Sequence, residues 1–91
     1  MVVMVTYDLN SAGQKYEQVI QAIKDSSTGT YCSYWKSSYL IQTNLSPNQI
    51  QEKIKPFLDS NDSLIAIEVK NNYQGWLKPE QWTHIKENIF G

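Results

Sequence analysis

Val2-Val3-Met4-Val5-Thr6-Tyr7-Asp8 decides how this chain is read. Six apolar or near-apolar residues run straight into an acid. A short unbroken run rich in β-branched and aromatic residues predicts a strand buried on both faces, and therefore a central one. Leu9, Asn10, Ser11, Ala12 and Gly13 follow as a turn leading into a helix. Asp8 then falls at the carboxyl edge of the sheet, where open α/β sheets tend to place ligands. An acid just after a strand also serves as an ordinary turn or capping residue. Both readings of Asp8 follow from the same seven letters.

Working outward, a first helix is predicted from about Asn10–Gln14 to Asp25. Tyr16, Val19, Ile20 and Ile23 fall at i, i+3, i+4 and i+7 and form its apolar stripe. After the loop Asp25–Gly29, the runs Thr30–Trp35 and Ser38–Thr43 read as a hairpin by spacing, although no Asn-Gly or Asp-Gly turn joins them. In the second run Leu40 and Gln42 face one way, and Tyr39, Ile41 and Thr43 the other. Ser46, Pro47 and Gln49 predict a capped start to a second helix whose stripe is Ile50, Ile54, Phe57 and Leu58. Pro56 predicts a kink or early stop. Leu64–Val69 reads as the last strand. A tail from Lys78 or Pro79 to Ile89 reads as a short helix with Trp82, Ile85 and Ile89 on one face.

The order is strand, helix, strand, strand, helix, strand, short helix. Right-handed crossovers then give a four-stranded antiparallel sheet with two helices on one face, the split βαβ arrangement. The 91 residues are expected to form one domain, with a core over about residues 1–70 and an extension over 71–91. A chain of this size buries only about 60–65% of its unfolded surface, so a dimer interface would add useful stability. Hydrophobic residues make up 41% and charged residues 19%, which excludes wholesale disorder. The net charge is −1, the pI is about 5.7, and all eight basic residues are Lys, so no basic stripe advertises a nucleic-acid footprint. No run approaches the roughly 18 apolar residues of a membrane span. No basic segment precedes the first apolar run, so a secretory signal is not expected. One cysteine, Cys32, suits a reducing setting, and a cytoplasmic location is the expectation.

The aromatic residues cluster. Tyr31, Tyr34, Trp35 and Tyr39 crowd the hairpin, and Tyr73, Trp76 and Trp82 crowd the tail. One reading is a stacking platform for unpaired bases, but no Lys/Arg-Gly-Phe motif of RNA-recognition domains accompanies it. The favoured reading is a second apolar layer, in which the tail folds over the sheet face that the two helices leave bare or over a partner's, with homodimerisation through that face and Trp35, Tyr39, Trp76 and Trp82 as interface candidates. His84 is the sole histidine and has no paired acid or second ligand nearby in sequence, which favours a packed or surface role. Cys32 reads as a small core residue. Asn10 and Ser11 can donate to phosphate oxygens, and Ser37 or Ser38 at the hairpin can approach the same edge. Turn and cap chemistry is the competing account of all four.

Val2–Leu9 resembles the opening strand of the small CRISPR-associated Cas-two proteins and of their relatives, the virulence-associated protein D toxins. The shared feature is an apolar strand ending in aromatic–Asp–aliphatic, here Tyr7, Asp8 and Leu9. Length and element order agree over about residues 1–70. The resemblance implies a ferredoxin-like α+β fold, a homodimer, and a pair of Asp8 side chains near the dimer axis. In that setting the pair would hold Mg2+ or Mn2+ for phosphodiester cleavage of RNA or DNA. Some members are non-catalytic DNA platforms, and many carry several Arg soon after this Asp. Ser11, Ala12, Gly13, Gln14 and Lys15 stand there in this chain, and spacer acquisition is not carried over. The tail, with Tyr73–Trp76 and Lys78–Trp82, is like a side branch of the family. Two functions are therefore expected. The first is a metal-dependent nuclease or nucleic-acid binder with catalytic and metal-binding Asp8. The second is a non-catalytic module, such as an antitoxin or defence modulator, that binds a protein through the aromatic surface.

Overall fold

A computed structural model describes residues 1–10 and 14–91. Its elements are β1 (Val2–Asp8), α1 (Gln14–Ser26), β2 (Tyr31–Cys32), β3 (Ser38–Gln42), α2 (Pro47–Ile54), β4 (Ser63–Val69) and α3 (Pro79–His84). A single 3₁₀ turn over Lys55–Phe57 extends α2, and a π-helical turn over Ile85–Ile89 extends α3. The strands run antiparallel in the order β2-β3-β1-β4. This is a ferredoxin-like α+β fold, with the apolar first strand in a central position. No helix among the described residues is long and apolar enough to cross a membrane.

Alternation along β1 builds two separate cores. Val3, Val5 and Tyr7 point to one side and pack with Ile41 of β3, Val19, Ala22 and Ile23 of α1, and Ile50 and Ile54 of α2. Val2 points to the other side and packs with Cys32, Ile85 and Ile89 beneath the C-terminal segment. The expectation that β1 is buried on both faces holds only in part. Met4 and Thr6 are half-buried, because α3 and its π-turn reach one end of the second face and leave the other open.

Local chemistry sets the element boundaries. Ser46 and Gln49 form a reciprocal capping box: the Gln49 N–H donates to Ser46 Oγ at 3.2 Å, and the Ser46 N–H donates to Gln49 Oε1 at 2.9 Å. The α-helix stops at Ile54, where Pro56 can no longer supply an N–H. The hairpin departs from expectation. β2 is only two residues long rather than Thr30–Trp35. Ser33 Oγ donates to the Ser38 carbonyl at 2.8 Å, drawing the chain into a loop, and Ser37 turns it back with a left-handed φ of 61°. Trp35 is therefore a loop residue.

The buried polar groups are satisfied. Thr43 Oγ1 donates to the Ser26 carbonyl at 2.6 Å and accepts from the Leu45 N–H at 3.0 Å. This ties the end of α1 to the chain leaving β3. Among the described residues, no buried side-chain nitrogen or oxygen lacks a partner.

Candidate functional site on the open face of the sheet

The second face of the sheet is half covered. Its covered half rests on aromatic stacking: Tyr73 lies against Trp82 at 5.8 Å and against Phe90 at 5.0 Å between ring centroids, nearly parallel to both. The Gln42 side-chain amide donates towards the carbonyls of Asn88 and Ile89 at 3.4 Å each, supplying partners at the end of the last helical turn. The open half presents Met4, Ile65 and Ile67. Ile65 is 54% exposed and Ile67 is 40% exposed, although both lie within a regular strand. Between the two halves runs a groove of about 490 Å³, lined by Met4, Trp35, Leu40, Trp76, Trp82 and Phe90 among others. Trp35 is 44% exposed and Trp76 is 98% exposed at its rim. Large exposed apolar patches on a protein surface commonly mark binding grooves or interaction sites.

Three of the four aromatic interface candidates, Trp35, Trp76 and Trp82, come together at this groove. Tyr39 stands apart. Its ring lies 6.0 Å from that of Tyr31 and packs against the helix-side core, with Lys24 Nζ 5.8 Å from the Tyr31 ring. Ile65 and Ile67 had no separate signal in the sequence. Leu64-Ile65-Ala66-Ile67 is apolar at every position, so alternation could not say which side faced water.

Asp8 ends β1, directly opposite Ser63 of β4, and is exposed. By strand alternation it stands on the same side as Met4 and Thr6. No described side chain bonds to its carboxylate. Asn10 is already engaged in structure. Its N–H donates to Asp62 Oδ1 at 2.8 Å and its side-chain amide donates to the Asn61 carbonyl, which fastens the turn after β1 to the turn before β4. Lys15 pairs with Asp59 across the same junction, and Asp62 Oδ2 accepts from the Asp59 N–H at 2.8 Å. Ser11 lies outside the described residues. Ser37 and Ser38 do reach the Asp8 end of the sheet. The Ser37 carbonyl accepts from the Tyr7 N–H at 3.0 Å and from Thr6 Oγ1 at 3.2 Å, and Ser38 Oγ donates to Thr6 Oγ1 at 3.1 Å. These bonds close the hairpin onto β1.

The remaining reactive types are structural. His84 Nε2 sits 3.4 Å from the Tyr31 carbonyl and Nδ1 sits 2.9 Å from Asn88 Nδ2, so both ring nitrogens hold the C-terminal segment in place. Burial pushes the Cys32 thiol up to about 11, against a smaller lowering by a backbone hydrogen bond from Leu40. A thiol so held stays protonated and unreactive near neutrality. Burial, followed by its hydrogen bond with Tyr16, raises the Tyr7 phenol well above its usual value. No group of three or more His, Cys, Asp or Glu able to hold a metal occurs among the described residues. A metal at Asp8 would therefore need water, phosphate or a second copy to complete its shell. No protein-family model matches the chain, and no curated protein matches it.

Proposed function

We propose that this chain is a homodimeric, Cas-two-like module that works by association rather than by catalysis, with the open side of the sheet and its β4 rim as the contact surface. The observation that carries this reading is the pair Ile65 and Ile67. They stand in water on β4, opposite Thr6 and Met4 of β1. Apolar side chains grouped in this way are stabilised when water is removed, by about 25 cal/mol for each Å² covered. The partner is a protein surface, beginning with a second copy, because the cations are few and all are Lys. Sedimentation equilibrium of the full chain should give a mass that rises with concentration towards twice 10.5 kDa. A mass of 10.5 kDa at every concentration contradicts the reading.

A second reading is favoured by one observation, the exposed Asp8 with no described side chain against its carboxylate. In this reading two copies of Asp8 hold Mg2+ or Mn2+, and the ion orients a phosphodiester of RNA or DNA and activates water. Two carboxylates brought close without an ion repel, so activity would require metal. Labelled single-stranded RNA and duplex DNA, incubated with Mg2+, Mn2+ or EDTA, test this directly. Cleavage that needs metal and disappears in Asp8→Ala establishes it. Equal signal from both proteins removes it.

A further inference from the structure

We propose that two copies of this chain join along the free edge of β4, in an antiparallel register centred on Ala66, to form one continuous eight-stranded sheet. This deepens the homodimeric reading above and rests on it. The sheet has two outer strands with different exposure to partners. β2 is two residues long and offers almost no template. β4 is seven residues long, carries no Pro or Lys within Ser63–Val69, and pairs only with β1 among the described residues. An edge of that length, guarded by a single charge, Glu68, remains open to strand addition.

The sequence of β4 selects the register. Backbone groups of alternate residues point to alternate sides of a strand, so a two-fold pairing must match outward-pointing residues with each other. The symmetric pairing can then be centred on Ile65, Ala66 or Ile67. Centring on Ile65 places Asp62 opposite Glu68 twice, setting like charges face to face. Centring on Ile67 places Lys70 opposite Leu64 and Glu68 opposite Ala66, so no charge meets its opposite. Centring on Ala66 places Ile65 opposite Ile67 twice on the open side, and brings together at both ends the charges that flank the strand, Asp62 and Lys70. Directly opposed apolar and opposite-charge pairs are the stabilising units of a sheet, and opposed like charges destabilise it. Only this register covers the two exposed isoleucines with each other and leaves every charge at its rim either matched or free of a like neighbour. The two open faces then become one surface, with an aromatic groove on each side of the seam.

The test uses the full chain and reads mass by sedimentation equilibrium, with circular dichroism to confirm the fold. Ile65 and Ile67 are exposed, so charged replacements leave both cores intact. Ile65→Lys with Ile67→Lys sets like charges opposite each other twice and should weaken the dimer by at least about tenfold. Ile65→Lys with Ile67→Glu sets opposite charges together in both pairs and should restore it. Lys70→Asp should weaken the dimer, while Trp76→Ala, away from the seam, should not. A dimer that the two-lysine variant breaks and the Lys/Glu variant fails to restore overturns the seam but leaves the homodimeric reading standing. So does a dimer lost in Trp76→Ala and kept in Lys70→Asp. A wild-type chain that stays monomeric overturns both.

Discussion

Ile41→Ala should lower the unfolding free energy by about 2–5 kcal/mol, the range for deleting a fully buried aliphatic side chain and leaving a cavity. Ile41 is fully buried, opposite Val3 in the sheet and within the core shared by α1 and α2. Helices on one side and paired strands on either flank limit how far that site can collapse, which favours the upper part of the range. A domain of this size has about 5–15 kcal/mol in total, and small chains sit low in it. The variant should therefore unfold at markedly lower urea with the same slope, as measured by circular dichroism. Ile41→Val, which removes one methylene, should cost only about 0.5–1.5 kcal/mol. Equal midpoints for Ile41→Ala and wild type would contradict the placement of Ile41 in this core.

Ile89→Asp should have a comparable effect confined to the other face. Ile89 is fully buried beneath the C-terminal segment, beside Val2, Cys32 and Ile85. A carboxylate among these apolar side chains would be desolvated, so the segment should detach rather than bury it, at a cost of more than about 3 kcal/mol to the attached state. Release would uncover Leu40 and Val69 and break the stack of Tyr73 on Trp82 and Phe90. Trp82 emission should shift to the red and amides of residues 79–89 should exchange rapidly. Those of β1 and β3 should stay protected, because the helix-side core is separate. Loss of protection throughout the sheet would show that the two cores are one cooperative unit.

The fold was legible wherever one residue type had one physical use. The β-branched run of β1 and the Ser46–Gln49 cap are both in the structure, and of the stripe Tyr16, Val19, Ile20 and Ile23 the last three pack into the core while Tyr16 is exposed. The hairpin was less legible because its turn is made by Ser37 in a left-handed conformation, which Ser seldom adopts and no dipeptide signalled. The proposed contact surface was half legible. Trp35, Trp76 and Trp82 were drawn together from their abundance in the hairpin and tail. Tyr39 belonged to the opposite side, because odd positions of β3 face the helices. Ile65 and Ile67 were hidden by a strand that is apolar on both sides. Asn10 read as a phosphate donor because nothing in the sequence brings Asn61 and Asp62 beside it; only the meeting of two turns does.

The central claim is that the β4 edge, with Ile65 and Ile67 at its seam, is buried by association. Amide hydrogen exchange at low and high protein concentration tests it most directly. Protection that rises with concentration over Ser63–Val69, with the exposed faces of α1 and α2 unchanged, is the result this account predicts. Exchange along β4 that is the same at every concentration, or protection that grows over the helices instead, would contradict it.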